Sequence, residues 1–118
     1  MRVSLSLGSS LAKYLFKKKF LSKERFPLVL MLEVTHLCNL ACEGCGRIRE
    51  YKETMREMLS VEECIQAVDE CPAPVVTVTG GEPLMHAEID KIISAIIEKK
   101  RHIYLCTNGI LLADAIKK

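Results

Sequence analysis

Apolar and polar positions along the chain alternate between two periods, and the switches between them mark the elements. Leu11, Ala12, Leu15, Phe16 and Phe20 recur at helical spacing with lysines between them, which predicts an amphipathic lead-in helix. Pro27 ends it and biases Phe26 toward extended backbone. Residues 28–34 are a near-continuous apolar run, the pattern of a strand buried on both faces. Residues 47–57 are charged and read as a solvated loop or exposed helical turn. Ser60 with Glu63 forms a capping box that opens a helix running to about Glu70, with Val61, Cys64, Ile65 and Val68 on one face. Pro72 and Pro74 close it.

Residues 75–79 then predict a second buried strand, broken by Gly80 and Gly81. Ile89, Ile92, Ile93, Ile96 and Ile97 form an apolar stripe on a helix over about 87–100. Residues 102–107 predict a third strand, with Asn108 and Gly109 as its turn, and residues 110–118 begin another helix. Strand, helix, strand, helix, strand, helix is the order of βαβ units around a parallel sheet, so the fold class is α/β. Three units cannot close an eight-unit barrel, which takes about 250 residues. A chain that stops inside an apolar helix reads as the first part of a longer protein. The expected division is a basic amphipathic segment at 1–26 and the N-terminal portion of a barrel at 27–118.

Composition narrows the function classes. The chain has 118 residues, 49% of them hydrophobic and 27% charged, and so reads as globular. It has no Trp and only 5% aromatics, which leaves no stacking platform for single-stranded nucleic acid. The net charge of +2 is too small to imply a nucleic-acid partner. It is unevenly spread, however. Residues 1–25 hold seven Lys and Arg against one Glu, a net +6, and leave −4 for the remainder. Two readings of this basic lead-in stay open: it docks on an anionic membrane surface, or it packs on the outside of the barrel. No transmembrane run or secretory signal is evident, so a cytoplasmic, reducing location is expected, peripheral to the inner membrane on the docking reading.

The six cysteines carry the chemistry. Cys38, Cys42 and Cys45 have the spacing C-x-x-x-C-x-x-C at the C-terminal end of the first strand, the catalytic face of a parallel α/β sheet. Clustered cysteines in a reducing compartment point to thiolate ligation. Three thiolates on a four-iron cluster would leave one iron open to a small molecule. A structural zinc site, with His36, Cys64 or Cys71 as the fourth ligand, is the competing reading. Gly80-Gly81-Glu82-Pro83 ends the second strand on the same face. Its glycines permit close backbone approach, Pro83 stiffens the exit, and Glu82 offers a carboxylate to a ligand ammonium. His36, His86 and His102 read as polar strand-end or helix-start residues, and Cys64 and Cys71 as small buried hydrophobes.

With Thr107-Asn108-Gly109 after the third strand, these motifs make the chain resemble the radical S-adenosylmethionine (SAM) enzymes. The resemblance implies a partial (βα)6 TIM-like barrel with the site at the strands' C-terminal ends. It implies a 4Fe–4S cluster on Cys38, Cys42 and Cys45, and SAM held by Gly80, Gly81, Glu82, Pro83 and Asn108. It further implies a 5′-deoxyadenosyl radical and a reducing partner such as flavodoxin or ferredoxin. One position departs from the family: the residue before the third cysteine, usually aromatic and packed near the adenine, is Gly44.

Residues 25–33, 42–46, 59–64 and 104–108 look like the hopanoid-biosynthesis radical enzymes, which add the deoxyadenosyl radical to the alkene of a hopene (diploptene) to make adenosylhopane. That likeness implies a lipid alkene substrate and gives Cys106 a role. Strand alternation puts Tyr104 and Cys106 on one face, and a lumen-facing thiol can donate a hydrogen atom to the carbon radical left by addition. The competing reading of Cys106 is a small buried cysteine. A radical peptide maturase, another radical SAM enzyme and a zinc-binding non-catalytic module are the functional alternatives.

Overall fold

The computed structural model describes residues 4–21, 25–46 and 53–117. Its elements, in chain order, are α1 (Leu5–Phe20), β1 (Val29–Thr35), α2 (Val61–Glu70), β2 (Val75–Gly80), a 3-10 turn (Pro83–Met85), α3 (Ile89–Glu98), β3 (His102–Leu105) and α4 (Leu112–Ala115). The strands form one parallel sheet in the order β1-β2-β3. This is the expected α/β order, with the third strand two residues shorter than the sequence pattern predicts.

The capping box forms as read. The Ser60 hydroxyl accepts from the Glu63 amide and the Glu63 carboxylate accepts from the Ser60 amide, at 3.2 and 2.7 Å. These bonds satisfy two of the donors that a helix start otherwise leaves open. Hydrogen bonding from Ser60, its backbone amide first and its side chain second, holds the Glu63 carboxyl below its ordinary range by favouring the charged form.

The core lies between the sheet and the helix pair α2 and α3. Leu32 and Val34 from β1, Val76 and Val78 from β2, Cys64 and Val68 from α2, and Ile92 and Ile96 from α3 are all buried in it. Register aligns Leu32, Val78 and Leu105 across the three strands, so one face of each strand supplies the core. Burial pushes the Cys64 thiol up to about 11, as befits a small apolar packing residue.

Three sequence expectations are corrected here. The first strand is expected to be buried on both faces, but only its helix-facing side is buried; in β2 the opposite side is half-buried. Val29, Met31 and Tyr104 on the other side are exposed. Ile97, counted in the buried stripe of α3, is 59% exposed. The lead-in helix does not present one apolar face. Its half-buried positions are Leu7, Ser10, Leu11, Tyr14 and Lys18, while Ala12, Leu15, Phe16 and Phe20 point to solvent. The Arg47 end of the charged loop, residues 47–52, lies outside the described residues.

Candidate active site

The site gathers at the C-terminal ends of the strands because each strand delivers one loop there. The β1 loop carries the cysteines. Cys38 and Cys45 are half-buried and Cys42 is exposed. The Leu40 amide points at the Cys38 sulfur at 3.4 Å, and the Cys45 amide donates to the Cys42 carbonyl at 3.2 Å, so local backbone bonds shape the loop. Gly44 turns it at φ 78°, a conformation that favours glycine, with nothing within 4 Å of where a Cβ would stand.

Among the described residues no three Cys, His, Asp or Glu side chains converge on a single metal ion. Cys64 and His36, nominated as a fourth zinc ligand, are engaged elsewhere: Cys64 is buried under α2, and the His36 ring nitrogen Nδ1 lies 3.0 Å from the Thr54 carbonyl. Three thiols spaced along one loop suit a cluster that offers each cysteine a different iron.

The β2 loop is the Gly80-Gly81-Glu82-Pro83 turn, and its glycines approach the β1 loop rather than open space. A Cβ on Gly80 would run into the Thr35 carbonyl, and one on Gly81 into the backbone of Leu37. In their place run two close backbone bonds, Gly81 to the Thr35 carbonyl at 2.8 Å and Glu82 to the Leu37 carbonyl at 2.7 Å. The glycines thus tie the second strand's exit to the residue just before Cys38. A side chain at Gly81, such as Val, would therefore displace the cysteine loop before it met any ligand.

Glu82 is fully buried. Its carboxylate accepts from the Leu84 amide at 3.0 Å, the Thr107 hydroxyl at 2.8 Å and the Asn108 amide at 2.8 Å. Asn108 in turn donates from Nδ2 to the Asn39 Oδ1 at 2.7 Å, inside the cysteine loop. A chain of bonds therefore runs from the second loop to the third and back to the first. Pro83 is buried at the start of the 3-10 turn. Sequence reasoning singled out Glu82 and Asn108 but missed Asn39, whose partner is 69 residues away; an amide among three cysteines was the only available signal.

Cys106 follows β3 directly, its amide donating to the Val78 carbonyl at 2.9 Å, and it is exposed. Alternation puts it with Tyr104, opposite the core residues Ile103 and Leu105. The reading of Cys106 as a buried packing residue is thereby corrected. His86 is a strut: its Nε2 lies 2.8 Å from the Leu59 carbonyl, and its Nδ1 accepts from the Glu88 amide at 3.1 Å. That tautomer donates at one nitrogen and accepts at the other, and leaves no lone pair for a metal.

Comparison with known proteins adds an independent finding. The family description of the radical SAM superfamily matches residues 32–118. The chain is similar to a PqqA peptide cyclase of Granulibacter bethesdensis, 30% identical over 93 residues that cover 76% of this chain and 25% of that protein. It is 36% identical over 99 residues to GTP 3′,8-cyclase 3 of Mycobacterium bovis, covering 75% of this chain and 26% of that protein. A GTP 3′,8-cyclase of Aquifex aeolicus is 33% identical over 105 residues, covering 82% of this chain and 33% of that protein. The chain thus spans between a quarter and a third of the length of these relatives. No solved structure matches it.

Proposed function

From the premise that the chain belongs to the radical SAM superfamily, a family of enzymes, we propose that Cys38, Cys42 and Cys45 hold a 4Fe–4S cluster beside which SAM is reductively cleaved. The observation that carries this reading is the three-loop assembly, in which the cysteine loop is bonded to the glycine-glutamate turn and to Asn108 at the same end of the sheet. When bound, the cluster supplies the electron that splits SAM into methionine and a 5′-deoxyadenosyl radical. The protein's part is to place the groups. Backbone of Gly80 and Gly81 and the buried Glu82 shape the wall beside the cysteines. Asn108 steadies the third loop against the first. The expected architecture is the partial (βα)6 barrel, whose lumen is lined by the uncovered face of the sheet.

The substrate is a finer question. Addition to a hopene alkene rests on the residue-level likeness of the sequence and on Cys106, whose exposed thiol stands on the lumen-side face. In that reaction C–C bond formation leaves a carbon radical. The Cys106 S–H bond breaks to deliver a hydrogen atom, and an electron and a proton from the reducing partner restore the thiol. The relatives named above lend this no support, because they are cyclases. They favour a second reading, ring closure of an organic or peptide substrate by the same radical.

The test uses the full chain, reconstituted anaerobically with iron and sulfide and given dithionite and SAM. We expect about four irons per chain and formation of 5′-deoxyadenosine. Cys42→Ala should lose both, and a full iron complement in that variant would overturn the assignment. Supplying hopene, GTP or peptide then separates the finer readings by product mass. With hopene, Cys106→Ala should keep SAM cleavage and lose the saturated adduct; an unchanged adduct yield would remove Cys106 from the chemistry.

A further inference from the structure

We propose that α1 docks the protein on an anionic lipid surface through an outward stripe of Leu5, Ala12, Phe16 and Phe20 and the lysines that flank it. The helix has two sides. The half-buried side, Leu7, Leu11, Tyr14 and Lys18, is held to the domain: the Tyr14 hydroxyl donates to the Pro27 carbonyl at 2.8 Å, and its ring meets Phe26 edge-on at 5.8 Å between centroids. The other side has no partner among the described residues. Leu5 is 93% exposed, Phe16 65% and Phe20 71%, and the two phenyl rings lie 4.4 Å apart as one apolar patch.

Charge says what covers that patch. On a helix of 3.6 residues per turn, Lys19 falls on one side of Phe16 and Phe20, and Lys13 and Lys17 fall on the other. All three are exposed, and α1 contains no acidic residue. Apolar rings flanked by cations on an acid-free helix match the boundary of an anionic bilayer, where rings enter the acyl edge and ammonium groups meet phosphates. Lys18 is not part of this set, since its Nζ sits 5.3 Å over the Tyr14 ring. Among the described residues no helix is long and apolar enough to cross a membrane, so the contact would be interfacial. The proposal does not depend on the radical chemistry.

The experiment is co-sedimentation of the full chain with vesicles of phosphatidylcholine alone or with about one third phosphatidylglycerol. Binding should require the anionic lipid and weaken with salt. Each lysine contributes roughly fivefold to partitioning, so Lys13→Gln, Lys17→Gln and Lys19→Gln together should lower it roughly a hundredfold. Phe16→Ser with Phe20→Ser should abolish binding while far-UV circular dichroism and SAM cleavage stay unchanged, which separates this result from a failure of the catalytic reading. Absent binding, binding indifferent to anionic lipid or to the lysine changes, or self-association that Phe16→Ser and Phe20→Ser disrupt would each overturn the proposal, the last by giving the stripe to a second copy.

Discussion

Glu82 shows how one side chain can hold a site together. A buried carboxylate is stable only if donors replace the water it has lost, and here three do: Leu84, Thr107 and Asn108. Replacing it with Leu strands all three donors. An orphaned buried group costs about 1–3 kcal/mol, and since Leu84 and Thr107 are half-buried and Asn108 exposed, Glu82→Leu should destabilise the fold by about 2 kcal/mol in total. Glu82→Gln keeps one acceptor oxygen but turns an amide donor toward another donor, and should cost less. Urea denaturation checks both, and equal midpoints for wild type and Glu82→Leu would show that the loops are held by other means. The glycine-glutamate motif was legible as a motif, but the partners of Glu82 were not. Thr107 and Asn108 lie 25 and 26 residues away, and only the parallel register of β2 and β3 brings them alongside.

At the scale of the element, α2 was fully legible and α1 only half. The start of α2 is written in four consecutive residues, and the structure returns it bond for bond. Its pH response follows from the lowered Glu63 pKa. A carboxylate whose folded pKa is depressed stabilises the fold above its ordinary pKa, and that contribution is lost as pH falls through the lowered value. Ser60→Ala removes the hydroxyl cap and the smaller, side-chain part of the shift, and keeps the Ser60 backbone donor to the Glu63 carboxylate. It should cost about 1 kcal/mol at neutral pH, and the gap to wild type should narrow as Glu63 is protonated in acid. Thermal melts from pH 7 to pH 3 would show this, and a gap constant with pH would refute the coupling. In α1 the spacing revealed apolar positions but merged two stripes into one, because periodicity alone does not say which stripe meets the rest of the chain.

For the whole molecule, the strand order and the gathering of the cysteine loop, the glycine-glutamate turn and Asn108 at one end of the sheet were readable, since polar loops and apolar strands alternate cleanly. The open face of the sheet was not. A run such as residues 28–34 is apolar on both sides, yet the described residues cover only one of them. This distribution sets where the chain opens first. β2 is hydrogen-bonded on both edges and contributes Val76 and Val78 to the core, whereas α1 contains no buried residue. Amide exchange should be slowest in β2 and fastest in α1, with β1 and β3 between. Exchange of α1 as slow as that of β2 would mean that the helix is more firmly seated than its contacts indicate.

The seat of α1 also sets a direction of traffic. Tyr14 meets the chain at Pro27, just ahead of β1, while the cysteines leave the same strand at its far end. The six steps from Val29 to Thr35, at roughly 3.3 Å each, separate the two ends by about 20 Å. A protein resting on a bilayer through α1 would hold its catalytic loops on the side facing the aqueous phase. A water-soluble substrate would arrive unhindered. A hydrocarbon would have to be lifted out of the lipid first, at about 0.8 kcal/mol for each methylene exposed on the way, unless a carrier or an apolar passage along the uncovered sheet shielded it in transit.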